Sequence, residues 1–251
     1  LADDRDQTVM ILGDQQVLAG DEIPSDSTGT SWLGDILVTD STTNVVDPAL
    51  CRLPDGTLLV AAQVNGPEGQ GWIRLYRSLD GGSTWSWLIG FRTGETSRHP
   101  SIAYASRDSG EQWVFLAYEA TWSDSTKRIT VIRLNPVSLS WDPVYPVVDI
   151  VGTADIYPRL CTDDALYDRY YVYLTYAVNA IDYHAVMFSR STDSGETFST
   201  PQEITGGSET ASFVPRPDIA YGNAGLFVAF EKPGWTRSEE RRVGKESRTG
   251  W

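Results

Sequence analysis

From about residue 45 onward the chain breaks into runs of β-branched and aromatic residues, five to eight long, separated by clusters of Gly, Asp, Ser and Pro. Such runs read as strands and the clusters between them as turns. No segment sustains apolar residues at i, i+3, i+4 and i+7 over three turns, which excludes a helical solenoid. The runs also recur in a fixed order. Each unit opens on a proline in a short extended stretch: Asp47-Pro48-Ala49-Leu50, His99-Pro100-Ser101-Ile102, Tyr157-Pro158-Arg159-Leu160 and Val214-Pro215-Arg216-Pro217. The prolines stand 52, 58 and 57 residues apart. A second run follows each opening, at Thr57–Gln63, Gln112–Glu119, Tyr170–Ala177 and Leu226–Glu231. Third runs occupy Trp72–Tyr76, Ile129–Leu134 and Ala185–Ser189, and fourth runs such as Trp85–Phe91 and Val144–Ile150 close the units.

Four short strands per repeat of this length describe one blade of a β-propeller. A β-sandwich is the runner-up, but it does not require one motif order to recur at a constant period. The predicted fold is therefore an all-β propeller of four-stranded blades, six when complete. It forms one domain over residues 1–235: a partial first blade, three full blades and a last blade cut after its second strand. Residues 236–251 are expected to stand apart as a tail.

The turn between the third and fourth runs carries a motif. Ser78-Leu79-Asp80-Gly81-Gly82-Ser83-Thr84-Trp85 and Ser191-Thr192-Asp193-Ser194-Gly195-Glu196-Thr197-Phe198 share the frame S-x-D-x-G-x-T-W/F. Midway between them, residues 134–141 keep Ser140-Trp141 without the Asp and Gly, and residues 25–32 keep the frame with Ser27 for Asp. An Asp in a tight hairpin accepts backbone N–H groups a few residues on. Gly82 and Gly195 can take the positive φ such a turn needs. Thr84 and Thr197 can satisfy further backbone groups, while Trp85 and Phe198 bury their rings. Asp80 and Asp193 thus read as hairpin staples, buried by their own turns.

These boxes resemble the Asp-box, or BNR, repeats of the sialidase (neuraminidase) superfamily, over residues from about 20 to 235. The resemblance implies the propeller independently of the proline period. It implies activity only weakly, because the same box occurs in propellers that bind without catalysing. Sialidases hold a substrate carboxylate with three arginines from separate blades, a task suited to the bidentate guanidinium fork. They add a Tyr nucleophile backed by a Glu and an Asp acid/base, outside the usual two-carboxylate scheme. The Arg-Ile-Pro expected near the start of a sialidase is absent here.

Strand order locates the candidates. In an antiparallel blade the boxes lie on one face, so the proline-led starts of the first strands lie on the other and rim the axis. That rim holds Arg98, Arg159, Arg216, Asp47, Asp155 and Tyr157, and the loops between second and third strands add Glu119, Trp122 and Tyr183. Arg159 and Arg216 share one offset from their prolines and are the candidate pair for an anionic ligand; Arg98 is displaced by two positions. Pairing with carboxylates such as Asp155 and Asp218 is the structural alternative for both. By the resemblance Asp47 or Asp155 is the candidate acid, though an Asp beside a Pro in a loop is commonly a turn former. Trp122 and Tyr183 are candidates for stacking on sugar rings, or else pack on their own blades.

Composition narrows the field. The 251 residues carry a formal charge of −14, which argues against nucleic acid and anionic membrane as partners. No run of about 18 apolar residues suggests a membrane span. Cys51 and Cys161 form no disulfide framework and are expected to be free thiols. His99 and His184 look too few and too isolated for a metal cage, so neither metal nor cofactor is expected. Starting at Leu1 without a signal peptide, the chain reads as processed or as a fragment. From Arg237 the pattern stops: Thr236–Trp251 holds five basic and three acidic residues with no strand logic. Arg237–Glu246 resembles a sequencing adapter translated in frame and is set aside from the fold; a basic tail is the alternative.

Three functions compete. The first is an extracellular or cell-surface propeller binding glycan or protein without catalysis. The second is an exo-sialidase-type glycoside hydrolase with its remaining catalytic residues in further blades. The third is a structural module of a larger secreted protein.

Overall fold

In the computed structural model, residues 38–39, 44–66, 70–107, 110–150, 155–163, 170–180, 183–205, 216–222, 225–230 and 241–243 are described. They form four antiparallel sheets that follow one another along the chain. The first sheet is β1 (Asn44–Arg52), β2 (Leu58–Asn65), β3 (Gly71–Ser78) and β4 (Ser86–Phe91). The second is β5 (Thr96–Ser106), β6 (Gln112–Thr121), β7 (Lys127–Leu134) and β8 (Trp141–Ile150). The third is β9 (Arg159–Thr162), β10 (Val172–Ala180), β11 (Tyr183–Ser191) and β12 (Gln202–Glu203). The fourth is β13 (Pro217–Gly222), β14 (Gly225–Phe230) and β15 (Arg241–Val243). Each sheet is a meander, with sequence neighbours paired in order.

The sheets are the expected blades. Their first strands touch in series, β1 with β5, β5 with β9 and β9 with β13. Apolar side chains fill the layers between blades. Leu59, Ile73 and Leu75 of the first blade pack with Leu116, Tyr118 and Ile132 of the second. Phe115, Ala117 and Val131 pack with Tyr170, Leu174 and Tyr176 of the third. Middle strands are therefore apolar on both sides: β6 shows an unbroken buried run from Val114 to Ala120 rather than strict alternation. That run includes Glu119, which is fully buried inside β6 and not on a loop.

The tail also departs from expectation. Arg241–Val243 pairs antiparallel with Val228–Leu226, taking the third-strand place beside β14. An open strand edge presents unpaired N–H and C=O groups, and any extended segment can satisfy them through backbone alone. The partial blade expected before residue 38, and the box frame at 25–32, lie outside the described residues.

The described boxes close the β3–β4 and β11–β12 connections. In the first, Ser78 Oγ donates to Asp80 Oδ1 at 2.7 Å and accepts the Gly82 N–H at 2.8 Å. Asp80 accepts the Thr84 N–H at 2.8 Å and the Thr84 hydroxyl at 2.6 Å, and the Trp85 indole donates to the Gly82 carbonyl at 3.0 Å. The second repeats this set. Ser191 donates to Asp193 and accepts from the Gly195 N–H, while Asp193 accepts the N–H and hydroxyl of Thr197. Phe198 takes the tryptophan's place and packs against the core layer of blades two and three. The buried member of each box is the serine, at 1% and 0% exposure. Asp80 is exposed and Asp193 half-buried, not buried by their own turns as expected. In the β7–β8 turn, Asn135 does a similar job, its side-chain oxygen accepting the N–H groups of Val137 and Ser138.

Candidate axial site

In the first three blades the opening proline sits in a bulge. Between Val46 and Ala49 the β1–β2 register slips, so that Asp47 and Pro48 together oppose one residue of β2. The same slip falls between Arg98 and Ser101, isolating His99 and Pro100. In the third blade the Ala177 N–H reaches the Ile156 carbonyl while Arg159 pairs with Thr175, leaving Tyr157 and Pro158 as the extra pair. Proline tolerates this place because it has no N–H to lose from the ladder. The residue before it adopts left-handed backbone, with φ of 49° at Asp47, 52° at His99 and 43° at Tyr157. Bulges of this kind re-aim a side chain. Here they deliver three side chains from three blades to one place.

Asp47 and His99 meet directly, Nδ1–H donating to Asp47 Oδ2 at 2.7 Å. The other imidazole nitrogen lies 3.4 Å from Asp155 Oδ2, an electrostatic contact without good hydrogen-bond geometry. The ring of Tyr157 packs on the imidazole with centroids 4.2 Å apart, and the Arg216 guanidinium lies 4.9 Å over the tyrosine ring. Beneath, Lys127 Nζ bridges Glu119 Oε1 at 2.8 Å and Asp155 Oδ1 at 2.7 Å. The second oxygen of Glu119 accepts the Ile156 N–H at 2.7 Å, tying the segment before β9 to β6.

The charges are strongly coupled. His99, then the geometrically firmer Lys127, hold Asp155 far below the usual carboxylate range against its partial burial. Burial works to lower the Lys127 ammonium, but Glu119 and Asp155 outweigh it and its pKa ends up raised. Tyr157 is raised by burial and by the Asp155 charge, with Arg216 pulling the other way.

Of the residues singled out from sequence, the structure gathers Asp47, Glu119, Asp155, Tyr157 and Arg216. The Arg159 guanidinium donates to the Pro158 carbonyl at 3.0 Å. Arg98 pairs across to Glu119 through backbone register. Trp122 lies under the Arg128 guanidinium of its own blade, 4.7 Å from ring centroid to carbon. Tyr183 opens β11, and its side chain lies outside the described residues. His99 and Lys127 are the members that sequence reasoning passed over. His99 had a signal, since it occupies the pre-proline place held by Asp47 and Tyr157. Far from isolated, its ring nitrogen lies within 4.8 Å of ligand atoms of Glu119 and Asp155.

Neither a protein-family model nor a curated protein sequence matches the chain. Solved structures do match. The Penicillium chrysogenum α-L-arabinanase complexed with arabinobiose aligns with a TM-score of 0.55 and 16% identity, over 74% of this chain and 57% of that one. The GH93 α-L-arabinofuranosidase of Fusarium graminearum with arabinobiose gives 0.56 and 17%, over 82% and 64%. A mutant of Trypanosoma rangeli sialidase displaying trans-sialidase activity gives 0.51 and 12%, over 71% and 27%. The fold is a sialidase-like β-propeller. At these identities the likeness speaks for the fold alone, and the chain spans less than two thirds of the length of each of these structures.

Proposed function

We propose that this propeller is a secreted or cell-surface protein that binds carbohydrate at the axial cluster without hydrolysing it. The observation that carries the proposal is the saturation of the cluster by its own charges. A glycosidase working through two carboxyl groups needs one of them protonated near neutral pH, with a raised pKa. Asp155 is driven the opposite way, and Glu119 is fully buried with both oxygens engaged. The side chains of Asp47 and Asp155, 46% and 34% exposed, offer oxygens that can accept sugar hydroxyls, and the half-buried Tyr157 offers a ring beside them. Arg216 is the exposed cation of the cluster and already lies over that ring, so a neutral, hydroxyl-rich sugar suits the site better than an acidic one. That two structures sharing the fold hold arabinobiose supports the carbohydrate class.

The second reading is an exo-glycosidase completed by residues beyond this cluster. It is favoured by the strained backbone at Asp47, His99 and Tyr157, since such strain clusters at active sites. A glycan array spanning arabinosides and sialosides, with a parallel turnover assay, separates the readings. We expect retention of a neutral glycan without product, weakened about tenfold or more in Tyr157→Ala and Asp47→Asn. Release of sugar from any arrayed glycan would establish the hydrolase. No binding to any of them would leave a structural module.

A further inference from the structure

The oddest feature of the cluster is where Lys127 sits. Glu119 is fully buried inside β6, Asp155 lies on the segment before β9, and His99 comes from the bulge of β5. One ligand atom from each lies within 4.8 Å of the others. That spread is what a single divalent ion spans when nitrogen and oxygen ligands stand about 2.0–2.4 Å away on each side. Mixed imidazole and carboxylate donors suit a borderline ion. Instead, the ammonium of Lys127, on a side chain only 12% exposed, lies 2.8 Å from Glu119 and 2.7 Å from Asp155.

We infer that Lys127 is the resident cation of this cluster: its ammonium holds, from within the chain, the place that a divalent metal ion would take between Glu119, Asp155 and His99. Three consequences follow from the geometry. The two carboxylates of Glu119 and Asp155 are kept side by side without an exchangeable ion. Asp155 and the adjacent Tyr157 are positioned from below by a group anchored in β7. The wild-type protein has no room for a metal there until Lys127 is removed. Lys127 is thus a positioning residue, and an ordinary surface ion pair would have none of these properties, since such pairs are exposed and contribute little.

The test replaces Lys127 with methionine, which keeps much of the stem and removes the charge. Uncompensated, the carboxylates it leaves behind destabilise the fold, because breaking a buried pair strands its partner. Chelator-treated wild type and Lys127→Met are titrated with Mn2+, followed by the loss of the free-ion EPR signal and by thermal unfolding. Wild type should leave the Mn2+ signal unchanged. Lys127→Met should take up one ion with affinity tighter by on the order of tenfold or more, and its unfolding midpoint should rise with Mn2+. The double variant Lys127→Met with Glu119→Gln should lose most of that gain. If Lys127→Met does not fold by itself, refolding in Mn2+ should recover the native circular dichroism. Equal Mn2+ uptake by wild type overturns the inference, as does a folded Lys127→Met that takes up none, or an unfolded one that Mn2+ does not rescue. Only the positioning of Asp155 for a sugar rests on the carbohydrate reading. A wild type that binds no glycan removes that reading and leaves the Mn2+ result to decide this one.

Discussion

Asp47, His99 and Tyr157 hold φ between 43° and 52°, a region costly for residues with a Cβ and further disfavoured ahead of proline. Aspartate and histidine tolerate it better than a bulky tyrosine does. The compensation is local. The Asp47 carboxylate is tied to His99 at 2.7 Å, and the His99 N–H reaches Gln63 Oε1 at 3.4 Å. Backbone strain and side-chain contact can be separated at Asp47, where the carboxylate is 46% exposed. Asp47→Ala removes the contact and keeps the strain; Asp47→Gly removes both. Urea unfolding should therefore find Asp47→Gly more stable than Asp47→Ala by about 1 kcal/mol. Equal stability would show that the left-handed backbone is not under strain. Alternation of apolar and polar residues carries no trace of this strain, because a bulge changes backbone direction without changing composition.

At the scale of the element, the box hairpins are self-contained. Every group that ties Asp80 lies within residues 78–84, so the motif is readable as a turn before any tertiary contact is known. Its hydrogen bonds from Thr84, first the hydroxyl and then the backbone N–H, with that of Ser78, lower the Asp80 carboxyl from 3.8 to about 2. A depressed folded-state pKa contributes stability that is present above the unfolded value and lost as pH falls through the folded one. Wild type should hence exceed Asp80→Asn in urea midpoint above about pH 5, with the gap closing toward pH 2. A gap independent of pH would mean that the carboxylate's charge plays no part in the turn. The fourth sheet shows the limit of element-level reading. Arg241–Val243 has no strand signature, and its pairing with β14 rests on an available edge.

At the scale of the molecule, blades are joined through the same turns. A Cβ at Gly195 would stand 2.4 Å from a ring carbon of Phe115 in the neighbouring blade, and φ there is 82°. Arg107 of the second blade donates to the Ser194 hydroxyl of the same box, and Arg133 lies 3.5 Å from Glu196. The second box is thus a clamp between blades as well as a staple. Gly195→Ala should destabilise by roughly 1–3 kcal/mol through overpacking and strained backbone. At Gly82 the nearest atoms belong to its own blade, Leu58 at 3.5 Å and Trp85 at 3.9 Å, so Ala there should cost less in the same thermal or urea measurement. Equal losses would refute the clamp.

The sequence by itself determined the strands of the first three blades, their order, the blade period and the box turns, because each rests on hydrogen bonds and side-chain alternation within a few residues. It also placed Asp47, Asp155, Tyr157 and Arg216 on one face, since strand direction alone sends the proline-led starts there. Which of them meet was decided by tertiary structure. Arg159 and Arg216 occupy equal offsets, yet one turns back to its own Pro158 carbonyl and the other covers Tyr157. His99 joins Asp47 across 52 residues, and Lys127 reaches Asp155 across 28. Contacts of that reach depend on how each blade twists against the next and on the desolvation of charges brought together there, and no local pattern encodes either.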